Sequence, residues 1–215
     1  MEGEATRRRG IMRYIFPALP IAALALSLAA GTSIGRGEGK DGPLFESGFE
    51  MKSSIQKSPA GWSRTIVPRF EEHVEFIWDE EIPHGGERSV SIEIGEDHPA
   101  EMTVAYNWYA DILNFLPGGE YELTCWIRGR DLEEPAWVCV QCWDETMSKM
   151  IGFETTQKDY PLTGTFEWKK AGTVFKVPEG TFKVVIRAGI AAPGNNGGRA
   201  WFDDLKIRAL PEEGR

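Results

Sequence analysis

The chain has 215 residues, of which 41% are hydrophobic and 27% charged, which supports a sizeable core and argues against wholesale disorder. Its formal net charge is −9, and because the segment up to Gly31 is basic, the remainder is more acidic still. That balance excludes a protein built around a basic footprint for nucleic acid or an anionic membrane surface, and leaves neutral ligands or a cation held by carboxylates.

Met1 to Gly31 has the pattern of a signal peptide or membrane anchor. Arg7, Arg8, Arg9 and Arg13 precede an apolar run from Ile15 to Ala30, which ends in Ser27-Leu28-Ala29-Ala30-Gly31 with small residues at cleavage positions. The run approaches the length of a bilayer span, so an uncleaved anchor is the alternative, but Pro17, Pro20 and the small-residue exit favour cleavage. Either way the protein is expected to be secreted or held in the cell envelope. Residues 32–43 read as a Gly-rich linker, 44–210 as a single domain and 211–215 as a short tail.

Within the domain, extended runs follow one another: Leu44 to Phe49, Arg64 to Phe70, Glu72 to Ile77, Ser89 to Ile94 and Met102 to Ile112. Tyr121 to Ile127 then alternates, with Tyr121, Leu123, Cys125 and Ile127 on one face and Glu122, Thr124, Trp126 and Arg128 on the other. Val138, Val140 and Cys142 alternate likewise against Trp137, Cys139, Gln141 and Trp143. Turn and charged residues from Gly129 to Pro135 separate the two runs, which predicts an antiparallel hairpin. Lys149 to Phe153, Trp168 to Val177, Thr181 to Ile190 and Ala200 to Leu210 complete the series. In the last but one, Phe182, Val184, Ile186 and Ala188 point inward and Arg187 outward. No stretch keeps a helical period, so the fold class is all-β, a two-sheet antiparallel sandwich.

The alternation also sorts the functional candidates. Eight Trp is high for this length. Trp126, Trp143, Gln141 and Arg187 are expected to share an outward face, with Trp108 and Arg128 as further candidates. Indole offers a flat apolar surface for the C–H face of a sugar ring, while amide and guanidinium bond its hydroxyls. Trp62 and Trp201 begin strands beside turn residues and read as structural. Cys139 and Cys142 have C-x-x-C spacing, but in a strand their sulfurs face opposite ways, which argues against a redox pair or zinc knuckle. Cys125 and Cys142 both face inward, as buried thiols or as a bridge.

Five stretches in order carry a resemblance: Phe45-Glu46-Ser47-Gly48, Gly61-Trp62, His84 to Ser89, Leu116 to Leu123, and Trp201-Phe202-Asp203-Asp204-Leu205. From Leu44 to Leu210 the chain resembles carbohydrate-binding modules of families 4, 9 and 22, galactose-binding-like jelly rolls of the type attached to bacterial cellulases and xylanases. The resemblance implies non-catalytic binding of a polysaccharide or glycan on one sheet face. It also implies a structural Ca2+ held by Glu46 and Asp203 with the carbonyl near Glu87, and a further acidic ligand near His84; this sequence has none there, and Glu81 or the Glu87 side chain is the candidate substitute.

Two other classes of function fit the composition. Asp79-Glu80-Glu81 and Asp144-Glu145 offer carboxylates for a glycoside hydrolase, which needs two facing one another across a cleft. Both clusters lie in turns, where charged runs are usually solvated, so an enzyme is not expected. An adhesion or scaffolding domain with the same fold and no sugar binding is the alternative to the glycan reading.

Overall fold

The computed structural model describes residues 43–54 and 57–211. The leader, most of the linker and residues 212–215 lie outside the described residues, which belong to the second of two units, Gly37–Arg215. Among the described residues, eleven strands make up nearly all the regular structure: β1 (Phe45–Ser47), β2 (Ser63–Arg64), β3 (Val74–Asp79), β4 (Ser89–Ile94), β5 (Val104–Ile112), β6 (Glu120–Leu132), β7 (Trp137–Trp143), β8 (Met150–Thr155), β9 (Gly164–Lys176), β10 (Lys183–Ala192) and β11 (Arg199–Ala209). They form two antiparallel sheets. One runs β3-β4-β11-β6-β9 with β1 also on β11, and the other runs β2-β5-β10-β7-β8. We call them the β11 sheet and the β10 sheet.

Period-two alternation builds the core between them. From the β11 sheet come Val90, Ile92, Ile94, Leu123, Cys125, Ile127, Phe202, Leu205 and Ile207. The β10 sheet contributes Tyr106, Trp108, Val138, Val140, Val184, Ile186 and Ile190, all essentially sealed from solvent. Phe182, read as inward, stands just before β10 and is 65% exposed. The three cysteines are buried and unbridged, with Cys125 and Cys142 on opposite sheets. Burial pushes the Cys139 and Cys142 thiols up to about 12 and about 11.

The hairpin expected between 121 and 145 does not form. β6 pairs with β11 and β9, and β7 pairs with β10 and β8, so the two strands lie in different sheets. Residues 133–136 carry the chain across the sandwich instead. The crossing is pinned at both ends, because Leu132 and Ala136 are buried in the core, Glu134 N–H donates to Asn195 Oδ1 (3.0 Å) and Ala136 N–H to the Leu162 carbonyl (3.2 Å).

At one end of the core the buried His98 packs against Phe70, His73 and Tyr106. Its Nδ1 lies 3.2 Å from the Pro99 carbonyl, which only accepts, so Nδ1 carries the proton and Nε2 accepts from the Tyr106 hydroxyl at 2.9 Å. Burial lowers the His98 pKa, helped by His73 and opposed by the Pro99 bond, Asp97 and Glu101. Protons therefore bind the unfolded chain more readily, and this contribution to stability is present above the unfolded pKa and lost as pH falls below it. Asp203, which burial pushes up to about 6, acts in the opposite sense as pH falls through that value. Melting the wild type and His98→Gln at about pH 7.5 and about pH 5.5 separates the two. The wild type should lose more on acidification, and equal losses would rule His98 out.

Candidate functional site

The alternation that buries Val184, Ile186, Ala188 and Ile190 sends Lys183, Val185 and Arg187 to the outer face of β10. Register then decides their neighbours. Arg187 lies between Tyr109 of β5 and Cys139 of β7, Val185 between Asp111 and Gln141, and Lys183 beside Trp143. β8 adds Phe153 next to Gln141, with its ring 44% exposed. The face thus carries a guanidinium with Tyr109 at its side, and two further rings, half-buried Trp143 and exposed Phe153.

Arg187 is held by neutral groups. Its Nε donates to Gln141 Oε1 at 2.9 Å, and its Nη1 to Asn107 Oδ1 at 2.9 Å and Thr65 Oγ1 at 3.3 Å. The Tyr109 ring lies 5.0 Å from the guanidinium carbon. Gln141 and Asn107 are only 2% and 1% exposed, so they position the arginine and offer little surface to a ligand. Burial lowers the Arg187 pKa. The nearest register neighbour with a carboxylate, Asp111, is paired with Lys183 at 2.8 Å.

Of the six residues expected to bind ligand, Gln141, Trp143 and Arg187 share this face and the other three do not. Trp126 and Arg128 also point outward, but from β6, and hence from the far side of the sandwich. Stacked sheets lie about 10 Å apart before side chains are added, so one sugar chain cannot stack on Trp126 and Trp143 together. Trp126 stacks instead on the His84 ring (4.0 Å, 19°), beside a small polar hollow flanked by Lys170, Asp204 and Lys206. Arg128 pairs with Glu167 at 3.2 Å and covers the Trp201 ring. Trp108 faces the core, 1% exposed, with its Nε1 donating to the Ser91 carbonyl of the opposite sheet at 3.1 Å. The sequence reading missed Thr65, Asn107, Tyr109 and Phe153. For Asn107 and Tyr109 the signal was present, since they occupy the alternate positions to inward-facing Tyr106, Trp108 and Ala110.

The residues assigned to calcium do not fit an ion in this arrangement. Glu46 pairs with Lys206 at 2.7 Å. Asp203 Oδ2 accepts the backbone N–H groups of His84 (2.8 Å) and Gly85 (3.1 Å), while its Oδ1 accepts that of Asp204 (2.6 Å). Glu87 enters through its N–H, which donates to Glu50 Oε1 at 3.1 Å. Calcium takes 6–8 oxygens, and among the described residues no three or more His, Cys, Asp or Glu side chains are grouped to hold a metal. β4 and β1 share one flank of β11, and the loop preceding β4 docks onto Asp203 at the bulge between them through its backbone amides.

Three of the five carboxylates considered for hydrolysis are engaged. Asp79 is buried beneath Arg199 and Trp201, Glu80 pairs with Arg88, and Asp144 accepts from Thr146 and Lys149 within its own turn. Trp62 and Trp201 are structural as expected, their indole N–H groups bonded to Ser47 Oγ (3.0 Å) and Asp79 Oδ2 (2.8 Å).

No family model matches the sequence, and no curated protein matches it. Solved structures do. The CBM22-1 xylan-binding domain from Paenibacillus barcinonensis Xyn10C is similar over 81% of this chain and 98% of that one, with TM-score 0.53 and 12% identity. The CBM22-1-GH10 modules of the Clostridium thermocellum xylanase 10B, solved with xylohexaose, match with TM-score 0.51 and 14% identity over 80% of this chain and 29% of that one. A further xylan-binding domain from CBM 22 gives TM-score 0.50 and 13% identity over 78% and 95%. At these identities the likeness is one of fold. The described residues share the fold of family 22 carbohydrate-binding modules, the architecture that the five sequence stretches resembled.

Proposed function

We propose that the chain binds a polysaccharide without cleaving it, on the outer face of the β10 sheet. The observation that carries this reading is the convergence on one face of rings with exposed surface, Trp143 and Phe153, and a guanidinium fixed by buried amides. Apolar faces for ring stacking beside rigid polar donors are what sugar recognition requires. The fold's neighbours, named as xylan-binding, make xylan the first polysaccharide to try. Export belongs to the same reading, supported by the basic and apolar segment before Gly31.

Titrating xylan while following tryptophan emission or heat tests it. Trp143→Ala should weaken binding about ten-fold or more, since a central aromatic anchor is typically worth over 1 kcal/mol. Trp126→Ala, altered on the opposite face, should leave affinity unchanged. If no glycan binds, the domain is a scaffold of the same fold. If Trp126→Ala is the variant that loses affinity, the site lies on the β11 sheet.

A further inference from the structure

Arg187 is exceptional among the arginines of this sandwich. Five arginines among the described residues are part-buried, and the other four each meet a carboxylate: Arg88 with Glu80, Arg128 with Glu167, Arg130 with Glu93, and Arg199 with Asp79. Arg187 meets none. Its Nε and Nη1 hydrogens are spent on Gln141, Asn107 and Thr65, and Nη2 has no partner among the described residues, leaving two donors free. An arginine cannot shed its proton to escape burial, so a half-desolvated guanidinium without a counter-charge is costly in the unliganded domain. Asp111 does not supply that charge, being paired with Lys183. Buried amides hold the cation in place nonetheless, which is the arrangement of a socket set for an incoming anion.

We infer that Arg187 receives a carboxylate of the ligand, so that the preferred polysaccharide is an acidic one bearing uronic acid groups. This deepens the glycan reading above and rests on it. Trp143 lies four residues along the strand direction from the Arg187–Cys139 pair, roughly 13 Å at the strand rise. A ring stacked on Trp143 and a carboxylate at Arg187 therefore belong to different sugars of one chain. The overall acidity of the protein disfavours polyanions at long range, so sparse uronate on a mostly neutral backbone suits the face better than a uniformly charged polymer.

The test compares glucuronoxylan with the same polymer after its carboxyl groups are reduced to alcohols, both titrated against the full chain by calorimetry. The native polymer should bind about ten-fold tighter, the size of a charge-assisted hydrogen bond, and the preference should shrink with added salt. Arg187→Gln, verified as folded by its circular dichroism, should bind both forms alike. Equal wild-type affinity for the two forms overturns the inference and leaves the glycan reading intact. Binding of neither overturns both. A preference for a sulfated glycan over glucuronoxylan would also overturn it, reassigning the socket to sulfate.

Discussion

Trp108→Ala is expected to destabilise the domain by about 3–5 kcal/mol, the usual cost of emptying a large aromatic site in a core. Its indole is 1% exposed, meets Phe76 edge-on at 5.5 Å and donates to the Ser91 carbonyl across the sandwich. One side chain thereby joins the two sheets by packing and by a hydrogen bond. Trp108→Phe keeps most of the packing and removes the hydrogen bond to Ser91, so it should cost less, about 0.5–1.5 kcal/mol. Urea denaturation of both variants measures the losses. Glycan affinity of the folded fraction should persist, and a variant that lost affinity while keeping its stability would return Trp108 to the binding face.

The second large effect is expected at Asp79. Its Oδ2 accepts from Arg199 Nη2 at 2.6 Å and Trp201 Nε1 at 2.8 Å, and its Oδ1 accepts the N–H groups of Glu81 and Ile82 at 2.8 and 3.2 Å. Asp79→Ala removes four acceptor contacts and leaves a partly buried guanidinium short of its main counter-charge. Breaking such a pair from one side costs about 3–5 kcal/mol. Arg199 keeps Glu93 at 3.4 Å and Ser91, which places the loss at the lower end, a fall in melting temperature of roughly 6–12 °C. Asp79→Asn retains one acceptor for the turn and should fall between. A loss below about 1 kcal/mol for the alanine variant would mean that Glu93 takes over the pairing.

Strand parity was legible in the residues, and strand partnership was not. Ser89 to Ile94 was bounded correctly from its alternation alone, and the inward sets of β6, β7 and β10 hold apart from Phe182, which precedes its strand. A period of two says which side chains part company across a strand, and nothing about which strand lies alongside. The short charged stretch before Ala136 looks the same whether it turns a hairpin or crosses between sheets, because both need polar, non-helical residues. That ambiguity put Trp126 and Trp143 on one face when they belong to two.

Trp108 shows a second limit. Its parity on β5 is that of buried Tyr106 and Ala110, yet an indole attracts a functional reading wherever it occurs. Ser91, the acceptor that makes its burial tolerable, lies seventeen residues away on another sheet. Asp79 was equally opaque: amid acidic neighbours it reads as solvated, and its partners Arg199 and Trp201 come from the far end of the chain. Arg187 and Gln141 were legible as neighbours because their strands do pair.

β1 and the C-terminal part of β11 run side by side, with Leu44 N–H donating to the Ile207 carbonyl at 2.7 Å. Entry to and exit from the sandwich are therefore adjacent, and both belong to the layer remote from Arg187 and Trp143. A partner fused at either point would be attached on the layer opposite the proposed glycan face.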